Sequence, residues 1–291
     1  MQKFDIEKHR QTTYKANLKR DEGLTEPDTI IKHKNIAYGS HDPYNLMDIY
    51  YPTNTTKPLP TIVNVHGGGY LYGDKEIYRF YTMFLATQGF TVVNCNYRLA
   101  PEDKYPAPLE DINNVFNFLT QHHAEYMVDM DNLFIMSDSA GAQIAEQYLI
   151  FLTNPQYASL FDFKPANIHI KAAVLNCGCY FIGKNNPIEE RGYFYFGETP
   201  DLTTLSHFPA EEYLTAEFPP AFVMTATDDF LKDRAMPLVE LLKDLDVPVT
   251  FKEYQHPDGE RIGHCFHLDQ KSAIAKTCNL DELAFLKEHV K

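Results

Sequence analysis

"NLFIMSDSAGAQIAEQYLIFLT" spans residues 132–153, and its reading decides the fold. Leu133-Phe134-Ile135-Met136 is a short apolar run of the kind buried inside parallel sheets. From Ala140 onward the apolar residues recur at helical spacing. Between strand and helix stands Ser139, with Ser137 two places before it and Gly141 two places after. A strand that turns sharply into a helix lifts its central side chain out at the carboxyl edge of a sheet. It also crowds the residues two before and two after, which must then be small. Ser137 and Gly141 meet that condition. Taken alone, the string equally fits a helix capped by a serine.

Outward from this stretch, apolar runs and helical patterns alternate. Strand-like segments are NLMDIYYP (45–52), TIVNVHGGGY (61–70), FTVVNCNYR (90–98), HIKAAVLNCGCY (169–180), PPAFVMTATDD (219–229) and VPVTFKEYQ (247–255). Helical spacing recurs in 109–123, 235–246 and 281–290, with Ile112, Val115, Phe116 and Leu119 on one face of the first. This alternation predicts a single α/β domain over 1–291 with a mostly parallel, doubly wound sheet. Residues 1–34 are polar and helix-prone up to Glu26-Pro27. The long connection at about 181–215 is rich in Phe, Tyr and acidic residues. Long connections of that type often act as lids or binding loops.

Composition narrows the function. Twenty-six basic against 40 acidic residues give a net charge of −14, which disfavours a surface that tracks phosphates and makes nucleic acid an unexpected partner. No apolar run reaches the length of a membrane span, and the charged start lacks the apolar centre of a secretory signal. Five scattered cysteines fit a reduced, cytoplasmic protein. Cys177-Gly-Cys179 has no matching pair along the chain, so no zinc site is expected.

A second motif changes the weight of Ser139. His66-Gly67-Gly68-Gly69-Tyr70 follows an apolar run, and glycines let backbone N–H groups face a substrate unobstructed. Acyl transfer needs such donors where negative charge gathers. A plain glycine turn has the same composition, whereas a phosphate loop would need a G-K-[ST] ending that is absent.

HGGGY, then YRLAPEDKYPAPLED (97–111), then SDSAGA (137–142) resembles the hormone-sensitive-lipase-like branch of the α/β-hydrolases, in order and spacing, over roughly 45–290. The resemblance implies an α/β-hydrolase fold with a small helical cap built from 1–34 and about 181–215. It implies a serine carboxylesterase with Ser139 as nucleophile, Asp229 as acid and His264 as base, needing no metal or cofactor. Gly68, Gly69 and Ala140 match the oxyanion hole. Within TATDDFLKD (225–233), Asp228 competes with Asp229, and Asp233 matches a second, structural aspartate. His256 and His267 flank His264 as surface alternatives, and His66 reads as a loop-orienting residue. Asp138, Arg98, Glu110 and Asp111 read as scaffold groups. Tyr70, Phe194 and Phe196 are candidates for the substrate pocket, with Phe181, Tyr193 and Tyr195 nearby. Ser137 and Ala142 stand where the family has glycine.

The expected substrate is a small ester with a short acyl chain. An amidase, formamidase or peptidase would use the same three residues, and a non-catalytic binding member of the fold is the alternative from another class. A homodimer is compatible with either.

Overall fold

In the computed structural model, described over residues 4–183, 190–197, 200–256 and 258–291, eight strands form one sheet in the order β1-β2-β4-β3-β5-β6-β7-β8. The strands are β1 Ile30–Ala37, β2 Leu46–Pro52, β3 Leu59–Val65, β4 Thr91–Cys95, β5 Val128–Asp138, β6 Ile170–Asn176, β7 Ala221–Ala226 and β8 Val249–Tyr254. β2 pairs antiparallel with both β1 and β4, and every other pairing is parallel. β3, β4, β6 and β7 lie in the interior of the sheet, where both faces are covered. That is why their sequences are nearly unbroken apolar runs and do not alternate with polar residues.

The helices are α1 Ile6–Asp21, α2 Lys75–Thr87, α3 Ala107–His122, α4 Ala140–Thr153, α5 Pro155–Ala158, α6 Glu190–Phe196, α7 Leu202–Ser206, α8 Ala235–Asp244 and α9 Ala273–Glu288. Successive strand residues point to opposite faces and so feed two cores. Val63, Val93, Ile135, Leu175 and Val223 meet α3, α4 and α8, whereas Ile62, Val92, Met136, Val174 and Met224 meet α2 and α9. α4 is buried from Ala140 to Phe151, which explains why its sequence carries so few charges.

Three elements differ from the sequence reading. Ile30–Ala37, with its lysines, histidine and asparagine, forms the antiparallel edge of the sheet against β2; an edge strand tolerates polar residues that would exclude it from the interior. α2 was not anticipated, although Asp74 caps it by accepting the Ile77 N–H at 2.9 Å and it buries Ile77, Tyr78, Tyr81 and Leu85 on one face. α9 begins at Ala273, capped by Ser272, eight residues before the apolar pattern at 281–290. No helix among the described residues is long and apolar enough to cross a membrane.

Candidate active site

β5 ends at Asp138 and α4 begins at Ala140, so Ser139 occupies the turn with φ 54° and ψ −121°. A non-glycine residue with positive φ persists only where surrounding contacts fix it. Here the Ser139 N–H donates to Asn176 O at 2.8 Å, and its carbonyl accepts from the Cys179 N–H at 3.2 Å. Gly141 is obligatory for a reason the local string did not reveal. A Cβ there would lie 2.3 Å from the carbonyl oxygens of Val65 and His66, at the end of β3. Ser137 is buried, and its hydroxyl donates to Val174 O at 3.1 Å, so the side chain is satisfied within the sheet.

The glycine loop is fastened to this turn. Asp138 accepts from the Gly67 N–H at 3.2 Å and from the Tyr78 hydroxyl at 2.8 Å. His66 is fully buried and stacked on Tyr97 at 4.1 Å, and burial pushes its imidazole down to about 4. It therefore orients the loop as a neutral ring. Gly68 has φ +124°, and a Cβ there would fall 1.8 Å from Tyr72 O, so only glycine fits. The Gly67 N–H is committed to Tyr78 and Asp138. Those of Gly68, Gly69 and Ala140 have no protein acceptor among the described residues, and all three residues line the cavity that Ser139 faces.

The loops after β7 and β8 bring the other two groups. His264 Nε2 is 2.9 Å from Ser139 Oγ, and His264 Nδ1 is 2.7 Å from Asp229 Oδ1. Asp229 is buried and also accepts from Thr225 Oγ1 and the Leu231 N–H, each at 2.9 Å. Burial alone would raise its carboxyl; the hydrogen bond and charge of His264, with the Leu231 amide, outweigh that and hold it below the usual range. Burial pulls the His264 imidazole down, but the hydrogen bond and charge of Asp229 help carry it above its ordinary 6.5. With Nδ1–H held by a carboxylate, the neutral ring turns its Nε2 lone pair toward the serine hydroxyl. A hydroxyl so paired can lose its proton as it attacks a carbonyl carbon.

The competitors sit elsewhere. Asp228 pairs with Arg261 through two contacts of 3.0 Å, and its backbone bridges Gly263, which fixes the loop carrying His264. Asp233 is exposed in a short 3-10 turn, Lys232–Arg234. His267 is buried edge-on to Tyr81, and His256 is half-buried beside Asp258. Arg98 is clamped by Asp111 and Glu110 as a scaffold group.

Ser139 opens onto a cavity of about 290 Å³. Tyr70 and Phe196 line it, and Phe194 does not. Gly192 and Phe196, four residues apart, share the cavity-facing side of α6, so Phe194, two residues from each, turns away and packs toward Phe4 at 6.1 Å. Tyr195 is buried and stacked on Tyr70 at 4.2 Å, while Tyr193 is exposed. Phe181 is half-buried, packed against the core, and is not on the cavity wall. The candidate lid residues 184–189, 198 and 199 fall outside the described residues.

The sequence reading missed much of the wall. His9, Thr13, Asn17 and Arg20 reach it from successive turns of α1, whose spacing of three to four is a legible signal on a polar helix. Phe230 lies 4.3 Å from the His264 ring although it is largely exposed, and Arg234 and Cys265 also line the cavity.

An eight-stranded sheet with a strand–serine–helix turn, a glycine loop beside it and a histidine and aspartate on the last loops defines an α/β-hydrolase. The BD-FAE family model matches residues 47–231, and the chain belongs to that family. It is 24% identical over 209 residues to an α/β-hydrolase sequence of Acanthamoeba polyphaga mimivirus, covering 69% of this chain and 60% of that protein. It is 26% identical over 229 residues to the versiconal hemiacetal acetate esterase of Dothistroma septosporum, covering 71% of this chain and 67% of that one. The chain thus spans less than two thirds of the first relative's length. Among solved structures, esterase B of Lactobacillus rhamnosis superposes with a TM-score of 0.84 at 22% identity, over 97% of this chain and 93% of that one.

Proposed function

We propose that the protein hydrolyses carboxylic esters through a Ser139–His264–Asp229 triad and an acyl-enzyme. The observation that carries this is the unbroken hydrogen-bonded chain of 2.9 and 2.7 Å that ends on a cavity. His264 Nε2 takes the Ser139 proton as Oγ attacks the ester carbonyl. The oxyanion sits against the N–H groups of Gly68, Gly69 and Ala140, the last at the positive end of α4. His264 then gives the proton to the departing alcohol, and Asp229 holds the imidazolium. Water repeats the sequence on the acyl-serine and frees the acid. The esterase named among the relatives supports this reaction class.

A cavity of about 290 Å³ is small among ligand pockets, and its apolar wall of Ile182, Phe196, Phe230 and Leu268 suits a short acyl chain. α1 and α6 act as the cap over this site. The five free cysteines suit a reducing compartment. The test is hydrolysis of a p-nitrophenyl ester series from acetyl to decanoyl. Turnover should peak at acetyl to butyryl esters; a protein that hydrolyses none of them is not this enzyme.

A further inference from the structure

The sequence offered no second cysteine pair to complete a site with Cys177 and Cys179, but the fold gathers a different set. The ligand atoms of Cys177, His264 and Cys265 all lie within 4.8 Å of one another. They come from two separately anchored segments. Cys177 follows β6, with its N–H donating to Met224 O at 2.7 Å. His264 and Cys265 sit on the loop held by the Asp228–Gly263 bridge. Two further donors stand at the edge of the group: Met224 Sδ is 4.0 Å from Cys177 Sγ, and Asp138 Oδ2 is 3.2 Å from Cys265 Sγ. His264 and Cys265 line the open cavity, so a solvated ion can reach them.

We propose that Cys177, His264 and Cys265 form a binding site for a thiophilic divalent cation of the zinc class, and that its occupation shuts the enzyme down. The inhibitory half rests on the esterase reading above; the binding half does not. Tetrahedral zinc, with bonds of about 2.3 Å to sulfur and about 2.0 Å to nitrogen, sets its ligand atoms about 3.5 to 3.8 Å apart. Closing the present cluster onto an ion therefore takes side-chain movements of about 1 Å. Each thiol gives its proton to solvent as its sulfur–metal bond forms, and nothing is oxidised. Thiolate and thioether donors select soft cations and leave magnesium and calcium unbound. Both ring nitrogens of His264 are already committed, Nδ1 to Asp229 at 2.7 Å and Nε2 to Ser139 at 2.9 Å. A metal on either one breaks the chain that activates the serine.

The test titrates the full chain, reduced and stripped with chelator, with cadmium chloride. Cadmium–thiolate absorption and calorimetry are followed beside p-nitrophenyl acetate hydrolysis. One tight site is expected, with absorption for two thiolates, hydrolysis falling in step with occupancy, recovery on adding EDTA, and no response to magnesium. Cys265→Ser should weaken binding by at least about 10- to 100-fold, and Cys179→Ser should leave it unchanged. Absence of a thiolate band, unchanged binding in Cys265→Ser, or loss of binding in Cys179→Ser overturns the site. Should Cys265→Ser fail to fold, Cys177→Ser gives the same reading from the other segment. Binding without loss of hydrolysis overturns the inhibitory role. A chain that hydrolyses no ester but binds cadmium as described refutes the esterase reading alone.

Discussion

The floor and the roof of the cavity are built on opposite principles. The floor is backbone: the ends of β3 and β5, the glycine loop and the first turn of α4, locked by contacts that leave no room even for a methyl group at Gly68 or Gly141. The roof is side chain. α1 reaches over the cavity with His9, Thr13, Asn17 and Arg20, tied down by Arg10 to Glu102 and to the carbonyls of Leu71 and Ala100. On the proposed function, chemistry that depends on tenths of an ångström falls to the tightly packed backbone, and selectivity falls to side chains that substitution can reshape.

The largest effect should come from the floor. Ser139→Ala is expected to lower hydrolysis of p-nitrophenyl acetate by about 10⁴- to 10⁶-fold with the thermal melt unchanged. A variant that keeps wild-type turnover would remove the serine from the chemistry. Asp229→Asn should cost about 10⁴-fold and should also move the pH profile. The proposed mechanism needs neutral His264, and the folded protein holds this ring above 6.5. The rate of wild type should therefore rise with pH through a midpoint above that value and then level off. Removing the Asp229 charge should shift the midpoint downward, and a midpoint that stays put would show that Asp229 does not set the state of His264.

Gly68→Ala comes next. The added Cβ would meet Tyr72 O at 1.8 Å and force the loop away from the oxyanion, so kcat should fall by about 10²- to 10³-fold. On the roof, Phe196→Ala should leave acetyl ester turnover within about tenfold while moving the preferred acyl chain to longer esters; no change in chain-length profile would take Phe196 out of the pocket. The smallest effect belongs to Arg10→Ala. The Arg10–Glu102 pair is partly exposed, and its loss, with two carbonyl hydrogen bonds, should cost about 1 kcal/mol in thermal or urea unfolding.

The same division explains what could be read from the sequence. Interior strands announce themselves because burial on both faces demands nearly unbroken apolar runs, as in Leu133–Met136 and Ala221–Met224. The turn at Ser139 and the glycines at 67–69 are legible because steric demand admits few residues there. Asp229 stood next to Asp228, and only the fold separates them: one is buried against Thr225 and His264, the other pairs with Arg261 near the surface. β1 was invisible because an edge strand of lysine and histidine takes its structure from its neighbour β2. The Cys177–His264–Cys265 grouping lies beyond sequence reasoning for a different cause. Cys177 is far in the chain from the adjacent His264 and Cys265, and they meet only because β6 and the last loop end at the same sheet edge. Phe194 lies off the cavity wall, a placement that composition does not give because it is silent on the direction in which a helical side chain points.

The most direct test is to treat the protein with a fluorophosphonate and map the adduct by peptide mass spectrometry. A single phosphonylated residue is predicted, Ser139, with labelling lost in Ser139→Ala and slowed severely in a His264→Ala variant. Stoichiometric labelling at any other residue, or no labelling of a folded protein, would contradict the assignment of Ser139 as a nucleophile activated by His264.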